Sequence, residues 1–260
     1  MIKFFRKIRQ KLLSENKFSK YLIYAIGEII LVVIGILIAL QINTYYENKK
    51  KLTEEIQTLT SLKNALKKDS SFIKRFAPFY KDIKTSMDIV SNYLDSDITY
   101  QDSLSSHFGN MLWNGVLESQ KSEFESLKSR DIKLISNEEL RSKIIEYYSG
   151  VERLEKDHDT YLEIIVNALN NIFPSRFYSI NSSYHTFINS PPNFGNLKIE
   201  LTPINPLELK NDNEFKFFIT NLKMQRNWYM DYPEHIIKGL NTALIKNIDE
   251  ELKLLKRKSY

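Results

Sequence analysis

The segment Tyr21–Ile42, YLIYAIGEIILVVIGILIALQI, restricts the possible folds of this chain more than any other feature. Its only charged residue is Glu28. As a helix the segment is about 33 Å long, which is enough to cross a hydrocarbon core of about 30 Å. Lipid cannot satisfy backbone polar groups, so helix is favoured over strand despite the many β-branched residues. The pattern predicts a transmembrane helix over residues 21–43.

Two other structures would give a similar apolar run. A buried core helix of a soluble protein is disfavoured because the run is long and apolar on all sides. A cleaved signal peptide is disfavoured because its apolar region is shorter and ends at a small-x-small site, which Ile38-Ala39-Leu40-Gln41 does not provide. We therefore expect a retained signal anchor.

Aromatic residues flank the segment on both sides, as is typical of membrane interfaces. The predicted interfacial anchors are Phe18, Tyr21, Tyr24, Tyr45 and Tyr46.

Basic residues before the segment account for the net charge of the chain. The predicted topogenic residues are Lys3, Arg6, Lys7, Arg9, Lys11, Lys17 and Lys20. With Glu15 and Glu28 they give residues 1–43 a charge of +5, equal to that of the whole chain, so residues 44–260 are neutral on balance. The excess is a topology signal, and no nucleic-acid partner is expected.

The same asymmetry orients the chain. The positive-inside rule places residues 1–20 in the cytoplasm and residues 44–260 outside it. Residues 1–20 are expected to form a basic amphipathic leader on the inner leaflet, although a merely topogenic leader would have the same composition. The absence of cysteine excludes disulfides and thiolate chemistry.

Residues 44–260 predict an all-α domain, an antiparallel helical bundle with a long irregular excursion. Leu52, Leu59, Leu66 and Ile73 recur every seven residues and form a coiled-coil-like seam. Packing within the bundle or a dimer would bury this seam. Pro78 is expected to kink or break the helix.

Capping patterns predict where several later helices begin. Two segments fit the capping-box pattern: Ser122 to Glu125 and Ser136 to Glu139. The second is predicted to begin a helix that extends to Phe173. The apolar stripe of that helix includes His158, for which a core position is expected. Asp212 is expected to cap another helix and Pro233 to begin the last one, whose apolar series includes Ile237 and Leu240.

Residues 174–211 carry five prolines and predict the irregular excursion. Leu197–Leu201 has the character of a short strand but has no evident partner. The aromatic residues of 174–230 are expected to fill the core beneath the excursion, with a ligand groove as the alternative. They include Phe177, Tyr178, Tyr184, Phe187, Phe194, Trp228 and Tyr229.

Two stretches of the sequence resemble one family. These are the N-terminal MIKFFRKIRQKLLSENKFSKYLIYAIGEIILVVIGILIALQIN and a second patch comprising Phe124-Glu125-Ser126-Leu127, Ile132-Lys133-Leu134-Ile135, Glu139-Leu140 and Tyr147-Tyr148. They are similar to the domain of unknown function 6090 family, uncharacterised single-pass membrane proteins of flavobacteria and related Bacteroidetes. Arg130-Asp131 stand where the family pattern usually has a glycine. The resemblance implies a bacterial inner-membrane protein with a helical periplasmic domain and implies no activity.

Glu28 is the residue of the span whose position is most costly, because a carboxylate within lipid usually faces protein or water. Glu28, Val32, Gly35 and Ala39 share one helix face, and Gly35-x-x-x-Ala39 is a small-x-x-x-small pair that allows close helix approach. The sequence therefore predicts a helix–helix interface at these residues, in a homo-oligomer or with another membrane protein. A glutamate tolerated by protonation and hydration is the alternative.

The residues suggest no other chemistry. The four histidines lack metal-ligand spacing, and no nucleotide-binding or nucleophile motif is present. No catalytic residue, cofactor or metal is predicted.

The function most consistent with the sequence is a membrane-anchored, non-enzymatic interaction or scaffold module. The alternatives are an auxiliary subunit of a transport or energy-coupling complex that uses Glu28, and a periplasmic enzyme with a site near residues 174–230.

Overall fold

A computed structural model describes residues 18–112, 119–182, 199–235 and 239–258. Most of the predicted topogenic residues (Lys3, Arg6, Lys7, Arg9, Lys11 and Lys17) therefore lie outside the described residues, as do Tyr184, Phe187, Phe194 and Ile237. Within the described ranges the protein is all-α apart from two short strands, as the sequence predicts.

The helices are α1 (Phe18–Asp95), α2 (Leu104–Asn110), α3 (Ser122–Arg130), α4 (Glu138–Asn171), α5 (Pro206–Asn211), α6 (Asn213–His235) and α7 (Asn241–Lys258). The strands are β1 (Phe177–Ser182) and β2 (Ile199–Pro203). Contacts divide the chain into two compact units. The first contains the described residues up to Glu55, with Lys258, and the second is Ile56–Arg257.

In the first unit, α1 is apolar on all sides. An 18-residue window has a mean hydropathy of 2.6, and none of it is buried. The large apolar side chains from Leu22 to Ile42 are each 45% to 69% exposed. Among the described helices, this one is long and apolar enough to cross a membrane.

In the second unit, the part of α1 that follows Ile56 is amphipathic and buries its seam within the chain. Leu59, Leu62 and Leu66 are 0% exposed and Ile73 is 8% exposed. After Ile73, the stripe continues through Ile83, Met87 and Val90 to Leu94, and all four are buried. Of the two ways of burying the seam, the fold uses packing within the bundle.

Pro78 is expected to kink or break the helix, but it lies inside a continuous α1, so the helix does not break there. Proline cannot donate a backbone hydrogen bond, and inside a helix it costs about 3 kcal/mol or more. Buried residues on both sides, Ile73 and Ile83, hold the two flanking turns against the core and offset that cost. Tertiary packing therefore overrides the local preference.

The helix caps differ from the predicted capping boxes. Ser122 is the first residue of α3, and Lys121 precedes it in a helical conformation without a side-chain cap. At α4 the cap is Asn137, one residue later than predicted, and its Oδ1 accepts from the amide of Leu140 at 3.1 Å. Asp212 does cap α6 as predicted, since its carboxylate accepts from the amide of Phe215 at 2.9 Å.

The predicted excursion contains a two-stranded antiparallel sheet. Ile180 pairs with Leu201 and Phe177 with Pro203, with a register shift between the two pairs. The expectation that the strand near Leu197–Leu201 lacks a partner is therefore wrong. Its partner β1 lies far back in the chain, which hides the pairing from a local pattern.

Aromatic side chains form the core around this hairpin. Phe215 is 0% exposed, and its ring centre lies 5.8 Å from that of Phe173, 5.7 Å from Phe177 and 6.2 Å from Phe108. Such offset and edge-on pairs are favourable beyond the burial of their area. The sheet is covered by α2, and α4 packs against α6.

The last two helices begin and end elsewhere than predicted. Pro233 lies inside α6, which continues to His235, and α7 begins at Asn241. Leu240, expected on the buried stripe, is 40% exposed because it precedes the first turn of α7. Leu244, Ile248 and Leu252 are buried as expected.

Phe215 and Phe217 provide a matched test of this core, because they lie two residues apart on α6. Phe215→Ala removes a ring with no exposed surface and is expected to cost about 3–5 kcal/mol of unfolding free energy. Phe217 is 75% exposed, and Phe217→Ala is expected to change stability by less than about 0.5 kcal/mol. Urea unfolding of the full-length protein in detergent, followed by circular dichroism, measures both. Equal effects would contradict the assignment of the core.

Candidate functional site

The predicted interface residues of the apolar helix lie in the first unit and are accessible. Val32 is 57% exposed, and Gly35 and Ala39 are also exposed, whereas Glu28 is partly buried. A Cβ atom added at Gly35 would meet no atom within 4 Å. The backbone at this position is therefore open to another helix.

Two of the predicted membrane anchors have described side chains. Tyr45 and Tyr46 are 64% and 66% exposed, and their rings lie edge to face at 5.9 Å. Phe18, Lys20, Tyr21 and Tyr24 lie in α1, but their side chains are outside the described part of the structure.

The second unit contains a buried polar cluster that the sequence analysis did not predict. We name it the Asp69 cluster, and its members are Asp69, Ser70, Ser119, Gln120, Tyr147 and Asn241. It joins α1, α4, the N-terminus of α7 and the segment before α3. Asp69 is 1% exposed and Asn241 is 0% exposed.

Three neutral donors converge on the Asp69 carboxylate. Its Oδ1 accepts from the backbone amide of Gln120 at 2.8 Å. Its Oδ2 accepts from the hydroxyl of Ser119 at 3.0 Å and from that of Tyr147 at 3.1 Å. Among the described side chains, none of the ion pairs includes Asp69. The carboxylate is therefore held by hydrogen bonds from uncharged groups.

Asn241 completes the network on the other side of Tyr147. Its Nδ2 donates to the Tyr147 hydroxyl at 3.1 Å and to the Leu66 carbonyl at 2.9 Å. Its Oδ1 accepts from Ser70 at 2.7 Å. Each polar atom of the Asn241 side chain therefore has a partner, as a fully buried amide requires.

Burial controls the protonation equilibria in this cluster. Desolvation raises the pKa of Asp69 above its usual range, and the hydrogen bonds from Gln120, Ser119 and Tyr147 reduce that shift. Desolvation also raises the pKa of Tyr147, with a further contribution from the negative charge of Asp69. Tyr147 is therefore a neutral donor at physiological pH.

The neighbouring Tyr148 is equally buried but is not part of the network. Its ring stacks on Phe124 at 4.2 Å, and its hydroxyl has no hydrogen-bond partner among the residues that the structure describes. Desolvation raises its pKa above the usual range, with smaller contributions from Asp69 and Glu123. Its hydroxyl carries a desolvation penalty that nothing in the structure offsets.

One sequence signal could have indicated the Asp69 cluster. Asp69 lies seven residues after Leu62 and three after Leu66, on the apolar stripe of α1. Asn241 lies three residues before Leu244, on the stripe of α7. A polar residue at a stripe position indicates a buried polar contact, because otherwise it would conflict with the helical pattern.

Arg226 follows the same rule in α6, seven residues after the buried Ile219. It is 2% exposed, donates to the Met111 carbonyl at 3.0 Å, and its guanidinium lies 5.6 Å from the ring centre of Tyr161. Burial raises the pKa of Tyr80 to about 12, and the charge of Arg226 opposes that shift. This arrangement fixes α6 against α4.

The histidines and carboxylates do not form a metal site within the described part of the chain. His158 is half-buried on the stripe of α4, and burial lowers its pKa. Burial also lowers the pKa of His107, whose Nδ1 lies 3.0 Å from the Ser86 hydroxyl.

The aromatic residues of 174–230 that are described divide between core and surface. Phe177 is 6% exposed, as expected for a core residue, whereas Tyr178 on the opposite face of β1 is 71% exposed. The side chains of Trp228 and Tyr229 are outside the described part.

Arg176 binds Asp212 at 2.7 Å and Glu214 at 2.5 Å, and its hydrogen bond to Asp212 lowers the pKa of that carboxyl.

A pocket of about 220 Å³ lies between α4 and α7. Tyr147 contributes to its lining, together with Lys143 and Glu146 from α4, Ala243, Leu244 and Asn247 from α7, and Leu240 just before α7. Lys143 is paired with Glu139 at 2.7 Å on the same helix. The pocket is therefore lined by both polar and apolar side chains, and it shares Tyr147 with the Asp69 cluster.

Tyr147 and Tyr148 provide a matched pair of substitutions. Tyr147→Phe leaves Asp69 and Asn241 each without one partner and is expected to reduce the free energy of unfolding by about 1–3 kcal/mol. Tyr148→Phe removes a hydroxyl without a partner and is expected to be neutral or slightly stabilising. Denaturant titration of the two variants measures the difference. If both lose the same stability, the hydrogen bonds of Tyr147 do not contribute as described.

Residues 28–104 match a Family of unknown function (DUF6090). No curated protein matches the chain. No solved structure matches it. The match begins at Glu28, includes Val32, Gly35, Ala39 and Asp69, and ends at the first residue of α2. Over residues 28–104 the chain is similar to the domain of unknown function 6090 family, which confirms the resemblance for this part of the sequence.

Proposed function

We propose that this protein is a membrane-anchored, non-enzymatic interaction module. In this proposal its apolar helix spans the bacterial inner membrane once and associates with another helix there. The helical domain is displayed in the periplasm, where it acts as a scaffold for other components.

The observation that carries the proposal is the exposed apolar surface of α1 in the first unit. Its leucine, isoleucine and valine side chains from Leu22 to Ile42 are all at least 45% exposed, and none of the most apolar window is buried. A continuous apolar surface of this extent is not typical of a soluble monomer. A bilayer would cover it along its whole length.

The basic residues before the helix support the proposed orientation. Seven of them precede the span, whereas Lys49, Lys50 and Lys51 on the other flank are mixed with Glu47 and Glu54. The positive-inside rule then favours a cytoplasmic N-terminus.

The shared face of Glu28, Val32, Gly35 and Ala39 supports the proposed association. Gly35 and Ala39 allow two backbones to approach, and a carboxylate at a helix interface can share a hydrogen bond with a polar partner. The partner is a second copy of this chain or another membrane protein. Every copy inserts in the same orientation, so the Glu28 side chains of two copies would meet at the same depth.

A second candidate rests on the position of Glu28. In an auxiliary subunit of a transport or energy-coupling complex, this carboxyl would bind and release a proton. Asp69, in contrast, lies in the second unit and has no part in either proposal. An enzymatic role near residues 174–230 is not proposed, because the described aromatic residues there pack as core or lie singly on the surface.

Gly35→Leu tests the helix interface, and Gly27→Leu is its control. Both glycines have open space around them, but Gly27 lies about 100° from Glu28 around the helix. Gly35→Leu is expected to weaken self-association at least about tenfold, because the bulky side chain separates the backbones. Gly27→Leu is expected to leave it unchanged. Analytical ultracentrifugation and cross-linking in mild detergent, with mass spectrometry of co-purifying proteins, measure the effect.

Substitutions of Glu28 separate the two candidate functions. Glu28→Leu is expected to weaken association in the interaction module, whereas Glu28→Gln keeps a hydrogen-bonding group and is expected to preserve it. In an energy-coupling subunit, Glu28→Gln would keep assembly but abolish activity of the complex. A monomer that is insensitive to Gly35→Leu and Glu28→Leu would refute the proposed association.

A further inference from the structure

The chemistry of the Asp69 cluster has a consequence that is independent of membrane association. An ionised carboxylate only accepts hydrogen bonds, and Asp69 accepts three, from Gln120, Ser119 and Tyr147. A carboxylic acid must also donate one. Adding a proton to Asp69 therefore requires at least one of these bonds to change direction.

The two oxygens of Asp69 differ in their capacity to take the proton. Oδ1 faces the backbone amide of Gln120, which can only donate. Oδ2 faces two hydroxyls, which can turn and accept. The proton is therefore expected on Oδ2.

Of the two hydroxyls, that of Ser119 is the freer to turn. The Tyr147 oxygen already accepts from Asn241, whose other bonds fix its orientation. Ser119 is only half-buried, so its hydroxyl can accept from the acid and donate to water. Protonation thus reverses the Ser119 bond and converts the Gln120 bond from a charge-assisted one to a weaker neutral one.

We propose that Asp69 is a proton-binding site through which acidification loosens the Ser119–Gln120 segment while leaving the contact of α1, α4 and α7 intact. The segment is held to α1 by the two bonds to Asp69, and these are the bonds that weaken. The contact of the three helices also uses the Asn241 bonds and the apolar seam, where Tyr147 is the titratable group and stays neutral because its pKa is raised. Loss of the buried charge removes a desolvation cost from that contact.

The other ionisable groups around Asp69 do not compete for this proton. On α4, Tyr147 and Tyr148 both have pKa values raised by burial, so they remain neutral. On α3, Glu123 acts on Tyr148, and Lys121 beside the segment is paired with Glu155. On α7, Asn241 does not titrate.

The sign of the pH dependence follows from the raised pKa of Asp69. Below its ordinary value of 3.8 the group is protonated in both folded and unfolded chains and has no effect. As the pH rises from there through the folded pKa, the folded state must hold a buried charge and loses stability. The Asp69 contribution therefore favours the folded state at acidic pH, opposite to Asp212, whose pKa is lowered.

Asp69→Asn tests the inference because asparagine imitates the neutral acid. The unfolding equilibrium constants of the full-length protein and the variant are compared in detergent from pH 7 to pH 4. Their ratio, wild type over variant, is expected to fall by at least about threefold over this range, since only the wild type takes up the proton. A ratio that does not change with pH would overturn the proposal.

Hydrogen exchange tests the local consequence. The Gln120 amide is expected to exchange at least about threefold faster in Asp69→Asn than in the wild type at pH 7. The Leu140 amide is the internal control, because it too donates to a side-chain oxygen, the Oδ1 of Asn137. A Gln120 rate that is unchanged relative to Leu140 would overturn the loosening.

A third measurement does not need Asp69→Asn and holds even if that variant does not fold. Carbon-13 NMR of the aspartate carboxyl groups follows their titration directly. The Asp69 signal is assigned with Ser119→Ala, which is expected to shift the titration midpoint of Asp69 upward, because a hydrogen-bond donor to the charged form is lost. A midpoint above 3.8 is expected for Asp69. A midpoint at or below that value would refute the proton site.

Discussion

Burial of the apolar seam of α1 is the interaction on which the rest of the second unit depends. Leu59, Leu62 and Leu66 have no exposed surface, and α4 and α7 provide the stripes that cover this part of the bundle. A fully buried leucine contributes about 1.5–3 kcal/mol relative to an exposed one. Further along the same seam, burial of Ile73 and Ile83 on either side of Pro78 offsets the local preference against a helix.

The same helix obeys a different constraint in the first unit. There the apolar residues are not confined to one stripe, and none of the most apolar window is buried among the described residues. Hydrophobic residues on one face indicate burial within a protein, whereas residues on all faces that remain exposed require an apolar solvent. The change from one pattern to the other lies between Ile42 and Ile56 and is visible in the sequence alone.

The sequence predicts those parts of the fold that depend on a single helix. The stripe of α4, its end near Phe173 and the cap at Asp212 all follow from local periodicity and side-chain chemistry. The partner of β2 could not be predicted, because pairing depends on contacts across a long segment. The cap of α4 was displaced by one residue because Ser136 and Asn137 are both suitable, and only the approach of the chain selects between them.

The Asp69 cluster shows the same limit at a site. Each polar residue on a stripe can be recognised, but its partners lie 50, 51 and 78 residues away from Asp69. No spacing rule connects them. The predicted face of Glu28, by contrast, lies on one helix, so periodicity could define its members although not its partner.

Asn241 also determines how the helices align along their length. An apolar seam with a seven-residue period fits several alignments almost equally well, since a shift by one heptad places leucine against leucine again. In a shifted arrangement Asn241 would lose Ser70, the Leu66 carbonyl and Tyr147 together, at a cost of about 1–3 kcal/mol for each buried group without a partner. The single amide thereby selects one register of α7 on α1 from a set that hydrophobicity alone would leave degenerate.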